Sequence, residues 1–361
     1  MKEEVIALVI CCIYFEIVQG NESEATPIPL LEEENCQTPK EQSGICINLL
    51  ECDELLTILK SQPISPENRH YLRESQCGLK SGSVLVCCPK NITQQIYTHL
   101  LPDKCGQHAD SRYYGSWTEL DYFPWVALIR SNSTDGVYNC SGALINERYV
   151  LTTARCVNEN ELNGVKRKIL SVRLGEHNII TENDCDDIEC ADPAIDVSIE
   201  EIVSHADYNR TEFTQENDIA LIRLSHIVNF TDFVRPICLP TGSALNITGF
   251  RVTGWGPDGE KKQDFINGVS LEDCNEKLRV QDKSINLAPT HLCVGGERGF
   301  TNCLVNSGNL LMTWRYHQPP YNLYLAGLFS FGPDKCKSEK SPSVYTRVDA
   351  HIDWIIEHLQ A

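Results

Sequence analysis

The stretch LTTARCV, residues 151–157, places Arg155 directly before Cys156. A guanidinium has a pKa above about 12, stays charged and has no lone pair with which to accept a proton. Arg155 therefore cannot act as a general base. A serine needs such a base to become a nucleophile, and His177 and His205 each sit in segments of their own. The other abundant reactive group is the thiol. Of 18 cysteines, Cys11 and Cys12 fall in the apolar first segment, and 18 − 2 = 16 leaves an even number. In an oxidising compartment these read as eight disulfides with no orphan thiol. The cysteines are widely spread without a paired C-x-x-C, so a zinc knuckle is not expected.

The compartment follows from the first twenty residues. Lys2 precedes an apolar run from Val5 to Phe15, with Val18 and Gly20 small enough for cleavage after Gly20. Residues 1–20 read as a signal peptide, the mature protein is expected to be secreted, and no later stretch is long and apolar enough to span a membrane. The balance of 31 basic against 50 acidic residues gives a net charge of −19. That field repels nucleic acid and anionic lipid, so neither is an expected partner. Asn-x-Ser/Thr sequons mark Asn91, Asn132, Asn209, Asn229 and Asn246 as glycosylation sites; Asn21 and Asn139 carry the motif too, the latter beside Cys140.

Two bodies must position this chemistry. Residues 36–88 hold six cysteines spaced C-x9-C-x5-C-x24-C-x9-C-C, in a segment too short to bury much core. The spacing alone leaves about fifteen connectivities. Residues 89–112 lack a sustained period and read as linker and activation segment. From residue 113 to 361 the chain alternates short β-rich runs with turns: "FPWVALI", "CSGALINERYVLTT", "DIALIRL", "YLAGLFSFG", "SVYTRV". The last piece, "DAHIDWIIEHL", sets Ile352, Ile355, Ile356 and Leu359 at helical spacing behind Asp349 as N-cap.

The six-cysteine pattern resembles the clip domain of arthropod extracellular serine proteases. That resemblance implies the pairs Cys36–Cys87, Cys46–Cys77 and Cys52–Cys88. The runs "FPWVALI", "CSGALI", "LTTARC", "ENDIALIRL", "RPICLP", "VTGWG" and "SPSVYTRV" resemble, in order, a trypsin-like serine protease domain. The implied fold is all-β, a trypsin-like double β-barrel with a C-terminal helix, preceded by the small disulfide-rich clip domain. "CDDIECADPAIDVSIEEIVSHADYN" is similar to an insertion of the Easter-like clip proteases. The family disulfides carry over as Cys105–Cys238, Cys140–Cys156, Cys185–Cys190, Cys274–Cys293 and Cys303–Cys336, which use every remaining cysteine.

The resemblance also assigns roles. The base motif T-A-A-H-C reads Thr152-Thr153-Ala154-Arg155-Cys156, so Arg155 stands at the histidine position. Asp218 holds the carboxylate position and Ser307 the nucleophile position. Where active relatives read G-D-S-G-G-P, this chain reads Val305 to Leu310 as V-N-S-G-N-L. Val305 replaces the glycine whose N–H helps bind the oxyanion, and Asn306 cannot pair with the new ammonium that activation creates. The cleavage site falls at Arg112–Tyr113, and Thr301 stands at the floor of the specificity pocket. Arg155 is expected to replace the imidazole structurally, through an ion pair with Asp218. The implied function is a non-catalytic serine protease homologue acting as a binding cofactor or regulator in an extracellular clip-protease cascade of innate immunity, of melanisation or Toll type. The alternatives are a residual serine endopeptidase, or a decoy that sequesters a protease or its inhibitor. The partners implied are extracellular proteases, zymogens or inhibitors. No cofactor or metal is assigned, although "GEHNIITEND" resembles a calcium loop of some relatives.

Overall fold

The structure is a computed structural model. It describes residues 35–49, 52–60, 64–80, 83–89, 100–107, 120, 122–133, 136–158, 167–185, 190–208, 215–241, 249–256, 258–280, 285–296, 307–314, 322–332 and 341–360. The signal segment lies outside them.

Residues 35–89 form a small unit of four antiparallel strands and two helices. Strands β1 (Asn35–Gln37), β2 (Ser43–Asn48), β3 (Gln76–Lys80) and β4 (Ser83–Pro89) line up in the order β1-β2-β4-β3. Helices α1 (Asp53–Lys60) and α2 (Pro66–Glu74) fill the interval between β2 and β3. Helix α2 starts where it does because Ser65 accepts the Asn68 N–H at 3.1 Å and Pro66 follows. The ring of proline presets φ, and the N–H it lacks would be unpaired there anyway. The core amounts to Cys52, Leu55, Tyr71 and Val86, with a few partly buried neighbours. Disulfides Cys36–Cys87, Cys46–Cys77 and Cys52–Cys88 close intervals of 51, 31 and 36 residues. In chain-entropy terms each contributes about 4 kcal/mol, more than so small a core could replace. A side chain at Gly44 would come within 2.6 Å of both Cys87 Sγ and the Cys88 carbonyl, so only glycine passes here.

The larger unit is all-β. Its first half contains β5 (Val126–Ser133), β6 (Gly136–Leu144), β7 (Tyr149–Thr152), β8 (Arg167–Leu174), β9 (Ile195–Val197), β10 (Ile199–Ser204) and β11 (Ala220–Leu224). They form one antiparallel sheet in the order β10-β11-β7-β6-β5-β8-β9, with a short helix α3 (Ala154–Val157) directly after β7. The second half holds β12 (Gly249–Trp255), β13 (Lys261–Val269), helix α4 (Leu271–Arg279), β14 (His291–Val294), β15 (Leu310–Trp314), β16 (Leu323–Phe331) and β17 (Ser343–Arg347). Its six strands close into a barrel, β12-β13-β14-β17-β16-β15. Closure pairs β16 on both sides over most of its length, and seven of its nine residues are buried. Trp125, Ile129, Leu144, Tyr149 and Ile219 are almost wholly buried in the main core.

The chain ends in a 3-10 turn, Asp349–His351, running into α5 (Ile352–Glu357). Ile352, Ile355, Ile356 and Leu359 are buried, as their spacing requires. Asp349 is not the N-cap that the sequence suggests. Its carboxylate binds Arg347 Nε and Nη2, both at 2.6 Å, and the fork outcompetes a neutral capping bond.

The segment at Cys105 is tied into this unit. Cys105 is bonded to Cys238, and the Gly106 N–H donates to the Pro236 carbonyl while its own carbonyl accepts from Leu323 N. A chain cut between Arg112 and Tyr113 is therefore expected to run as one band on a non-reducing gel and as two after reduction. Separation without reductant would refute the tie.

Candidate active site

Three positions singled out in the sequence come together where the halves of the larger unit meet. Cys156 of α3 is bonded to Cys140 of β6, which holds the short helix and with it Arg155 against the first sheet. Asp218 enters from the turn before β11 and is completely buried. Ser307 stands three residues ahead of β15, 6% exposed, followed by Gly308 at φ +81°.

Among the described residues no side-chain cation hydrogen-bonds to Asp218. Its Oδ1 accepts the main-chain N–H of Arg155 at 2.8 Å, and its Oδ2 accepts the Ser330 hydroxyl at 2.5 Å. Its own carbonyl accepts from Thr346 Oγ1 at 2.9 Å. Burial outweighs these bonds and pushes the carboxyl up to about 6, the nearby guanidinium and the two donors only moderating the rise.

The Arg155 side chain goes elsewhere. Its Nη1 donates to the Ser330 carbonyl at 3.3 Å, and no carboxylate among the described residues pairs with it. The expected ion pair with Asp218 is thus corrected: the acid takes its hydrogen bonds from the Arg155 main-chain amide and the Ser330 hydroxyl, and the guanidinium donates to the Ser330 carbonyl instead. Arg155→Ala is accordingly expected to cost about 1 kcal/mol or less in urea unfolding. Stranding half of a buried ion pair would cost about 3–5 kcal/mol, and a loss of that size would reinstate the pair.

Among the described residues no base hydrogen-bonds to Ser307. Its Oγ lies 3.0 Å from Oγ1 of Thr153, a fully buried hydroxyl. Thr153 was visible in the sequence as a departure from T-A-A-H-C, but nothing local revealed that its hydroxyl would reach Ser307. Asn309, also a departure from the nucleophile motif, accepts from Ser141 Oγ at 2.6 Å and packs its amide over Gly254. Thus Thr153, Asn309, Ser141 and Ser330 belong to the site alongside the three positions chosen from motif.

Other assigned positions fall differently. Arg112, Tyr113, Thr301, Val305, Asn306, the Cys303–Cys336 pair, and sequons Asn91, Asn209 and Asn246 lie outside the described residues. Asn132 and Asn229 are exposed. Cys185–Cys190 and Cys274–Cys293 are bonded. In the loop from Gly175 to Asp184, Glu176 is buried against Arg173 at 3.1 Å, and Asp184 accepts from the His177 and Asn178 amides. Among the described residues no group of three or more His, Cys, Asp or Glu is set to hold a metal ion.

Residues 113–355 match the Trypsin family, and residues 36–88 match the Regulatory CLIP domain of proteinases. The chain belongs to the clip-domain serine proteases. This clip-domain family member is 36% identical to Serine protease ea of Drosophila melanogaster over 354 residues, covering 89% of each chain. It is 34% identical to the Spaetzle-processing enzyme of the same fly, covering 90% of this chain and 91% of that one. CLIP domain-containing serine protease B9 of Anopheles gambiae shares 34%, over 91% and 93%. Among solved structures, the Drosophila Grass clip serine protease of the Toll pathway superposes with a TM-score of 0.63 at 28% identity. That alignment covers 90% of this chain and 96% of that chain. The all-β trypsin-like fold with its terminal helix and disulfide-rich clip region is thereby shared. Among the described residues no helix is long and apolar enough to cross a membrane.

Proposed function

We propose that this chain is a non-catalytic clip-domain serine protease homologue, secreted, that binds members of an extracellular protease cascade without cutting them. One observation carries the reading. The residue that would have to take the Ser307 proton is Arg155, whose guanidinium donates to the Ser330 carbonyl, while among the described residues the Ser307 hydroxyl meets the hydroxyl of Thr153. A group that only donates cannot act as the base. Relatives called Melanization protease 1, Spaetzle-processing enzyme and a clip protease of the Toll pathway support a cascade of innate immunity as the setting.

The test is a paired assay after cleavage at Arg112. The wild-type protein should neither label with a fluorophosphonate nor hydrolyse a fluorogenic tryptic peptide above a buffer blank. Arg155→His should stay at the blank as well, because Val305, Asn306 and Thr301 still differ from active relatives. Loss of one triad member costs about 10⁴-fold or more even where the oxyanion donors are intact. Labelling of the wild type at Ser307 would overturn the proposal. Turnover by Arg155→His alone would show that the loop residues matter less than the base. Co-purification from body fluid then separates an adaptor, found with proteases or zymogens, from a decoy found with an inhibitor.

A further inference from the structure

Among the described residues Arg155 combines a guanidinium that binds no carboxylate with a backbone edge that no strand lies along. It is half-buried, and among the described residues one of its five side-chain N–H donors is used, in a long bond to a neutral carbonyl. That carbonyl, of Ser330, begins a stretch of β16 that is open on one side. Strand β15 pairs with β16 only as far as Leu328, and β17 takes the opposite side through Phe331. Among the described residues no strand lies along the remaining edge from Ser330 to Gly332. Phe331 and Gly332 are half-buried, which leaves their backbone within reach of an added strand.

We propose that this edge and Arg155 together form a binding site for the free C-terminal carboxylate of a peptide, rather than for a chain that runs through. The inference rests on the non-catalytic reading above and gives it a ligand. A continuous peptide laid along Ser330–Gly332 would bring an uncharged amide to a guanidinium, and would leave the charge partly desolvated with no carboxylate bound to its fork. A peptide that ends there presents two carboxylate oxygens to a planar fork, the pairing in which arginine gains most. Asp218 does not engage that fork: its oxygens accept the Arg155 main-chain N–H and the Ser330 hydroxyl. The net charge of −19 acts as a filter. It repels acidic peptides at long range and admits those whose negative charge is confined to the terminus. Such ends are what proteolysis creates, so the reaction class that supplies this ligand is peptide-bond hydrolysis by another enzyme.

The experiment uses the full chain and N-terminally fluorescein-labelled hexapeptides ending in Ala, Leu or Arg, each as free acid and as amide, read by fluorescence polarisation. At least one acid should bind about tenfold more tightly than its amide, with the gap shrinking as salt rises. Arg155→Gln should bring acid and amide within about twofold of each other; Arg155→Lys, which keeps the charge without the fork, should retain a reduced preference. Equal binding of acids and amides, no binding of any probe, or a preference that survives Arg155→Gln would each overturn the proposal. An amide probe with glutamate as its last residue that binds like the acids would also overturn it, because the site would then read side-chain carboxylates. Mass spectrometry of the recovered probes keeps the two readings apart. Cleaved probes count against the non-catalytic reading, whereas intact probes with no acid preference count against this site alone.

Discussion

Replacing Gly308 with alanine is expected to destabilise the larger unit by about 3–5 kcal/mol and to lower its melting midpoint by roughly 10 °C. Two penalties combine. The residue sits at φ +81°, where a side chain is strained, and its Cβ would lie 1.9 Å from the Ser141 carbonyl oxygen. That oxygen cannot simply move. It accepts from Thr152 Oγ1 at 2.7 Å, and the Ser141 N–H donates to the Ser307 carbonyl at 3.0 Å. On the other side the Gly308 N–H donates to Phe329 at 2.9 Å, and Asn309 accepts from the Phe329 N–H at 2.8 Å. Residues 307–309 thus pin β6 of the first sheet to β16 of the barrel, and a methyl group there must part them. Gly249→Ala is the matched control, because an added Cβ meets nothing within 4 Å and should shift the midpoint little. If both variants melt with the wild type, the turn is not the lock between the halves.

Asp218→Asn should remove a pH dependence of stability that the wild type shows between about pH 4 and 6. The folded-state carboxyl is raised from 3.8 to about 6 by burial. Between those values the folded state holds a proton that the unfolded state has lost, so stability falls as pH rises through the window. The contribution is fully present below 3.8 and gone above about 6, a change of roughly 3 kcal/mol. Asparagine keeps an oxygen for the Arg155 N–H, and its amino group can donate to a Ser330 hydroxyl that turns to accept. At pH 7 to 8 the variant should therefore be the more stable protein, by about 1–3 kcal/mol, and near pH 4 the two should converge. Differencing the two urea-unfolding series cancels the other acids of this chain. Parallel curves across the window would show that Asp218 does not carry the shift. The same result bears on history as well as stability: an acid kept charged at neutral pH against its burial is of use beside an imidazole, and Arg155 does not take up that partnership.

The fold class was legible because it rests on local pattern. Runs such as "DIALIRL" and "SVYTRV" became β11 and β17, and the spacing of Ile352, Ile355, Ile356 and Leu359 marked the buried face of α5. The helix start was misread at Asp349, since a cap competes with any cation in reach and Arg347 two residues earlier offered a fork. In the site the division is similar. Thr153 and Asn309 were readable as departures from motif but not as contacts, because a hydroxyl or an amide chooses its partner only after distant strands have packed.

By its residue types alone the sequence determined that position 155 cannot take a proton, that the chain is rich in cysteines spaced for disulfides, and that its strands alternate toward a β core. These are properties of single side chains and of short periods, and folding does not change them. The tertiary structure alone decided where the Arg155 guanidinium points, what satisfies Asp218 and what faces Ser307. Those bonds join residues 175, 63 and 154 apart in the chain. Over such separations hydrogen-bond partners are chosen by packing and burial: the main-chain amide of residue 155 bonds to the buried carboxylate, and the guanidinium of the same residue bonds to the Ser330 carbonyl of β16.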